Sequence, residues 1–299
     1  MNNIKTEFTI KDLENFSGIK AHTIRIWEKR YNLLAPDRTD SNIRYYDVHN
    51  LQKLLNVSFL NANGLKISKI AELPPSRLNA MVREVISKNG AETLASNTFK
   101  LAMLNFDENL FNVTYNNLIA QSSLRDVFKN IFLPFLNEIG LLWQVNSITP
   151  AHEHFISNLI KQKIHINIER LQMASPTNYE KVFVLYLPLN EIHELGLLYM
   201  HYELLLHGYQ SIYLGQSVPV GNLRDVLKVY DNCCFLSYLT VEPSKISVDE
   251  YIEIVNNEVL DNSLSELWLL GIKVSETNIT TKSSSVKTFS SIDDLLKVL

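Results

Sequence analysis

Residues 181–199 read KVFVLYLPLNEIHELGLLY. Val182–Leu187 is an unbroken apolar run of strand length, bounded by Pro188 and Asn190. The residues after it, Glu191 onward, take up the apolar spacing of a helix. Between the two lies a loop carrying Glu191, His193 and Gly196, in a chain with only eight histidines. Two readings compete. The loop holds a surface histidine beside a glycine that packs helix against sheet, or it is a ligand site. Parallel sheets bind ligands beyond the carboxyl ends of their strands, and this loop lies at one such end.

The pattern continues downstream. Apolar runs recur at 211–215, 234–239, 266–270 and 286–290, and helical segments are predicted at 191–208, 219–230, 247–259 and 292–299. Strand–helix alternation with short connections implies βαβ units. Residues 177–299 are therefore expected to form a doubly wound, Rossmann-like (flavodoxin-like) parallel sheet of about five strands, with a Ser-, Thr- and Lys-rich loop at 275–288. Upstream, residues 76–176 contain no strong strand signal. They read as helices at 76–88, 91–104, 107–120, 122–140 and 149–172, which implies a helical bundle. Pro134 falls inside the fourth of these and predicts a kink. Pro74 and Pro75 mark the boundary to a separate head, residues 1–75. The expected class is thus multidomain, α and α/β.

Composition bounds the alternatives. With 299 residues, 46% hydrophobic and 20% charged, the chain has the profile of a globular protein. No apolar run reaches the roughly 20 residues of a membrane span, and "MNNIKTEFTI" lacks the apolar core of a signal peptide. The cytoplasm is the expected location. Cys233 and Cys234 are adjacent in an apolar segment and read as small core residues. Net charge is −4, divided as +3 over residues 1–75 and −7 over the remainder. A basic head on an acidic body is an asymmetry met in DNA-binding regulators.

The head supports that reading. Residues 9–16 form one predicted helix, Gly18 a tight turn, and 21–31, "AHTIRIWEKRY", a second helix. Ile24 and Trp27 occupy its expected core face. Lys20, His22, Thr23, Arg25, Lys29 and Arg30 make a basic exposed face, the part of a helix-turn-helix that enters the major groove. "APDRTDSNIRYY" then forms a polar wing with Arg38, Asn42 and Arg44, suited to the phosphates. The stretches "TIRIWEKRYNLLAPDRT" and "IRYYD" resemble the MerR family of winged helix-turn-helix regulators over about 70 residues. That resemblance implies contacts with double-stranded promoter DNA from Arg25, Arg44 and Tyr45, joined by Thr23, Lys29 and Arg38. Many MerR proteins continue into one long pairing helix, whereas here Pro74–Pro75 intervenes. Self-association, as dimer or tetramer, is still expected because operators are usually two-fold.

The loop at 188–196 resembles the cobalamin-binding fold of methionine synthase and the corrinoid proteins, whose motif is Asp-x-His-x-x-Gly. The Glu-x-His form here is similar to that of the CarH-type cobalamin-dependent regulators. The resemblance implies His193 as lower cobalt ligand, Glu191 as the carboxylate that orients it, and Gly196 where a helix begins close to a bulky ligand. It extends to "LHGYQSIYLGQSVP" (206–219), to Ser237 and Leu239 beside the nucleotide tail, and to Gly271. In the bundle, Trp143 is followed after nine residues by Glu153 and His154, a spacing similar to the CarH-type cap over the upper corrin face. An indole offers a flat ligand large contact area at little entropic cost. Read singly, Trp143 is a core residue, and Glu153–His154 a helix N-terminal turn.

Two positions depart from that family. Leu270 stands where the first glycine of a Gly-Gly pair makes room for the nucleotide, and its side chain is expected to crowd the tail. Gln144 stands where CarH-type photoreceptors place a histidine that takes cobalt after light has broken the cobalt–carbon bond. Glutamine is a poor substitute, with His152 and His154 as the nearest replacements. The expected function is a transcriptional regulator, not an enzyme, whose effector region binds cobalamin (adenosylcobalamin or methylcobalamin), with light as a further input that Gln144 weakens. One alternative is a cobalamin-independent regulator with a degenerate pocket used for oligomerisation. Another is a corrinoid carrier for a methyltransferase, which the basic head disfavours.

Overall fold

The computed structural model describes residues 7–39, 42–88, 92–145, 147–261, 263–280 and 283–299. They form two compact units, Met1–Ile160 and Lys161–Leu299, divided within one long helix.

The first unit opens with helix α1 (Ile10–Ser17) and α2 (Ala21–Tyr31). Thr9 and Asp12 cap α1 reciprocally, and Gly18 closes it in the left-handed conformation. Strands β1 (Asp37–Arg38) and β2 (Arg44–Tyr45) pair antiparallel as the wing. Helices α3 (Val48–Ala62) and α4 (Ile67–Ala71) complete the head. Its core contains Phe8, Leu13, Phe16, Ile24, Trp27 and Tyr46, all buried. The bundle follows with α5 (Pro75–Lys88), α6 (Glu92–Asn105) and α7 (Glu108–Ile119). The fourth predicted helix is real but broken. It consists of α8 (Leu124–Val127), a π-helical turn over Phe128–Phe132, and α9 (Leu133–Gln144). Pro134 lies at the start of α9. The wider turn before it is how the helix absorbs a residue that cannot donate a backbone hydrogen bond. Phe99 centres the bundle core, with the rings of Phe111, Phe132 and Phe135 at 4.9, 5.5 and 5.8 Å.

Helix α10 (Pro150–Gln172) leads to the second unit. Its strands are β3 (Asn178–Tyr186), β4 (Tyr209–Gly215), β5 (Cys233–Tyr238), β6 (Glu266–Leu270) and β7 (Val286–Thr288). All five are parallel, in the order β4-β3-β5-β6-β7. The intervening helices are α11 (Leu195–Leu206), a 3-10 turn (Val220–Leu223) joined to α12 (Arg224–Leu227), α13 (Val248–Val255) with a π-helical end (Asn256–Leu260), α14 (Ile272–Glu276) and α15 (Ile292–Leu296). One face of the sheet presents Val184, Tyr186, Phe235, Leu267 and Leu269 to Tyr251, Ile252 and Val255 of α13. On the opposite face Gly196 of α11 meets Tyr238. The strand order reverses between β3 and β5, which places the crevice of a doubly wound sheet at their carboxyl ends.

Three predicted helices are shorter than expected, the last of them ending at Leu296. The segment from 191 becomes helical only at Leu195, because Glu191–Glu194 is held as a loop around the Glu191 carboxylate. The 219–230 segment winds first as 3-10 and then for four residues as α. Cys233 and Cys234 are buried on β5 as small core residues.

Candidate functional site

Glu191 organises the loop at the switch point. It is 0% exposed. One carboxylate oxygen accepts the backbone N–H of Ile192 (2.9 Å) and His193 (3.0 Å) and faces His193 Nδ1 at 2.6 Å. The other accepts the backbone N–H of Thr240, Val241 and Glu242, at 3.3, 2.7 and 2.8 Å. One side chain thereby ties the loop after β3 to the loop after β5. Burial acts to raise its pKa, but the His193 ring and these N–H groups hold the carboxyl down at about 2. An ionised carboxylate only accepts, so His193 Nδ1 carries a proton toward Glu191, and Nε2 is the ring nitrogen left for a ligand. The His193 side chain is 52% exposed.

The surroundings are apolar. Leu189 and Ile192 on the same loop, Val241 after β5 and Ile272 after β6 are exposed hydrophobic residues at the carboxyl edge of the sheet. Gln216, after β4, donates to the Ile192 carbonyl at 3.0 Å, and Asn190 N–H donates to Ser217 Oγ at 3.0 Å. Gly196 has a definite packing reason. A Cβ there would lie 2.7 Å from the Tyr238 ring. The close neighbour of this glycine among the described residues is therefore Tyr238.

Ser237 and Leu239 are fully buried at the end of β5. Ser237 Oγ has no hydrogen-bond partner among the described residues, an uncommon state for a buried hydroxyl. Gly271 adopts φ +113°, and a Cβ on it would fall 2.3 Å from the Leu239 carbonyl oxygen. The ends of β5 and β6 thus meet backbone to backbone. Strand alternation puts Leu270 and Ser237 on opposite faces of the sheet. Leu269 belongs to the α13 face with Phe235, and Ser237 shares that face by the period of two. Leu270, paired in register with Tyr238, lies on the α11 face.

Behind the loop stands a polar cluster that the sequence reading missed. Glu194, buried at the start of α11, pairs with Lys161 and accepts the Tyr213 hydroxyl at 2.7 Å. Burial, reinforced by Glu194, drives the Tyr213 pKa far up. His201 is buried with Nδ1 2.8 Å from Ser211 Oγ. Burial first, and His165 second, lower its pKa to about 4, so it is neutral at physiological pH. The partners are 33 and 19 residues away from Glu194 in sequence, and no local spacing signals them.

In the first unit, Trp143 near the end of α9 is 54% exposed, with Leu141 and Val145 also exposed beside it in sequence. The core reading of this indole is therefore wrong. Glu153 and His154 lie in the first turn of α10. Glu153 bonds His154 Nδ1 with one oxygen and accepts Ser157 Oγ at 2.6 Å with the other. His152 is buried, stacked on Phe106 with ring centroids 4.9 Å apart, and its Nδ1 lies 2.9 Å from Thr149 Oγ1. Burial lowers its pKa. That fixed position makes it a poor stand-in for a mobile ligand. The Gln144 side chain lies outside the described residues.

The head places most of its predicted residues on the surface. Lys20, His22, Arg25, Lys29, Arg30, Arg38 and Asn42 are exposed; Thr23, Arg44 and Tyr45 are half-buried. Several have partners within the head. Lys20 pairs with Glu14 at 3.2 Å, Arg38 bonds Asn42, and Arg44 Nε lies 3.5 Å from Glu28. Glu28 was not singled out from sequence. It also accepts the hydroxyl of the buried Tyr46, whose pKa burial and Glu28 push far up. It links α2 to the wing. Among the described residues, no helix is long and apolar enough to cross a membrane, and no cluster of three or more His, Cys, Asp or Glu side chains is arranged to hold a metal.

Residues 8–76 match the family model described as MerR HTH family regulatory protein, and residues 95–166 match that described as B12 binding domain. The HTH-type transcriptional repressor CarH of Myxococcus xanthus is 26% identical over 222 residues, covering 72% of this chain and 73% of that protein. The HTH-type transcriptional repressor CarA of the same organism is 28% identical over 225 residues, covering 72% and 70%. Among solved structures, the monomethylamine corrinoid protein of Methanosarcina barkeri aligns with a TM-score of 0.54 at 15% identity, covering 67% of this chain and 94% of that one. At that identity the likeness is one of fold.

Proposed function

We infer that this chain, which joins a MerR-type helix-turn-helix to a B12-binding region, is a DNA-binding transcriptional regulator whose effector part binds cobalamin. The observation that carries the reading is a half-exposed imidazole held by a buried carboxylate at the switch point of a parallel sheet. We assign His193 as the lower cobalt ligand, through Nε2, with Glu191 fixing its tautomer and the loop.

The residues present fit a corrinoid. The apolar edge formed by Leu189, Ile192, Val241 and Ile272 suits the hydrocarbon periphery of a large macrocycle. Ser237 Oγ, buried and unpaired among the described residues, is a group that a polar tail completes. Bound cobalamin would supply a cobalt centre held by His193 and, in its alkyl forms, a cobalt–carbon bond. Trp143, Glu153 and His154 are the bundle residues proposed to contact it, and the exposed indole is the strongest of these. Adenosylcobalamin or methylcobalamin is the proposed form.

At the other end, Arg25, Lys29 and Arg30 on α2 are proposed to enter the major groove of promoter DNA, with Lys20, His22 and Thr23 at the helix start. Arg38, Asn42, Arg44 and Tyr45 of the wing are proposed to follow the backbone. Proposed domain limits are 1–75, 76–176 and 177–299. Self-association on a two-fold operator completes the proposal. A regulatory rather than catalytic role follows from the head, for which a methyltransferase carrier has no use.

The test combines absorption with DNA binding. Full-length protein incubated with hydroxocobalamin and desalted is expected to retain a red chromophore, and to shift a duplex selected from a random-sequence pool. A colourless product refutes the cofactor assignment. Failure to enrich any duplex refutes the DNA assignment.

A further inference from the structure

The first unit contains a set of contacts that the proposed function does not explain. Helix α1 of the DNA-reading head is gripped at both ends by the bundle. At its first turn, Asp12 is 5% exposed, and its Oδ2 caps the helix by accepting Thr9 N–H (2.7 Å) and Thr9 Oγ1 (2.9 Å). Its Oδ1 accepts the hydroxyl of Ser147 at 2.7 Å, across 135 residues of sequence. Ser147 is 0% exposed and also receives Asn15 Nδ2 at 3.4 Å. At the last turn, the buried Lys100 of α6 donates to the Phe16 carbonyl at 3.5 Å and pairs with Glu138 of α9 at 2.5 Å.

Both anchors lead to α9. Glu138 lies within it, and Ser147 follows it, its N–H bonded to the Leu142 carbonyl at 2.9 Å. Trp143 is placed between the two anchors and exposed. Two buried polar residues so far apart in sequence are costly to bring together unless each satisfies the other. Weak surface contacts would leave the head free to swivel, whereas charge-assisted hydrogen bonds in a buried place fix its direction.

We propose that Ser147 and Lys100 form a clasp through which the end of α9, carrying Trp143, sets the orientation of the helix-turn-helix. The proposal rests on the cobalamin reading only in naming what acts on Trp143. A ligand seated on the indole biases the end of α9. Ser147 then either carries α1 with it or releases Asp12. In both cases α2 is re-aimed, since α1 and α2 pack as one unit. Ser147 and Lys100 are positioning residues, for they need touch neither ligand nor DNA.

The test uses full-length Ser147→Ala and, as an independent break at the other end, Lys100→Met. Affinity for the selected fluorescent duplex is measured with and without hydroxocobalamin, and cobalamin uptake is read separately from the absorption spectrum. The clasp predicts that either variant keeps the wild-type spectrum while the ligand-induced change in DNA affinity falls at least about three-fold in ratio. A variant that responds with the wild-type ratio overturns it, as does wild-type protein that takes up cobalamin without any change in DNA affinity. If wild-type protein takes up no cobalamin, the functional reading fails first, and hydrogen exchange decides the clasp. Faster exchange at Leu13–Ser17 in Ser147→Ala supports it, and unchanged exchange refutes it.

Discussion

Replacing Glu191 separates the architecture of the loop from its chemistry. The carboxylate receives five backbone N–H groups and the His193 ring, and none of it reaches solvent. Glu191→Gln keeps the volume, but its amide nitrogen confronts donors on one side and its oxygen is uncharged. Hydrogen bonds to a charged group contribute about 1.5–3 kcal/mol each, and they are not additive. The depressed pKa of the carboxyl gives a second figure for the same contacts. A carboxyl held at about 2 in place of its ordinary 4.5 corresponds to about 3 kcal/mol at neutral pH. The folded pKa is depressed, so this stability is complete above about pH 4.5. It is lost as pH falls from there toward about 2. Urea unfolding of ligand-free wild-type and Glu191→Gln protein is expected to differ by about 3 kcal/mol at pH 7. The gap should narrow steadily below pH 4.5. A gap under about 0.5 kcal/mol at pH 7, a scale typical of surface changes, refutes the reasoning. So does a gap that does not shrink with acid.

Trp143→Ala removes an exposed side chain, so ligand-free stability should change by less than about 0.5 kcal/mol, while cobalamin affinity should fall about ten-fold or more. Equal affinity by titration calorimetry contradicts the proposed contact. Gly271→Ala forces a Cβ against the Leu239 carbonyl oxygen at a positive φ and should cost about 3 kcal/mol or more in thermal unfolding. A Tm unchanged from wild type contradicts the close approach. In the head, Arg25→Ala should weaken operator binding by about 1–3 kcal/mol, and Lys29→Ala should lower the slope of log affinity against log salt by about one. Fluorescence anisotropy across a salt series checks both, and unchanged curves remove those residues from the interface.

What was legible in the sequence is what depends on local period. The 182–187 run, the 266–270 strand and helix α2 at 21–31 were readable because alternation and helical spacing act over a few residues. The Glu-x-His-x-x-Gly loop was visible as a motif. Its stitching role was not, since the N–H groups that Glu191 binds lie about 50 residues on. The face that Leu270 takes was not legible, because strand pairing decides it. Trp143 could not be told from core without knowing what packs on it. Ser147, Glu28 and Glu194 were overlooked for one reason: each acts through a partner distant in sequence.

The most direct test of the cobalt assignment is the electron paramagnetic resonance of cob(II)alamin bound to protein whose histidines carry nitrogen-15. An axial nitrogen splits each cobalt line into three if it is nitrogen-14 and into two if it is nitrogen-15. Coordination by the imidazole of His193 predicts doublets in labelled protein, triplets in unlabelled protein, and loss of the doublets in His193→Ala. Triplets that persist in fully labelled protein would mean that the ligand keeps its own base on cobalt, and that the imidazole at the edge of the sheet never takes its place.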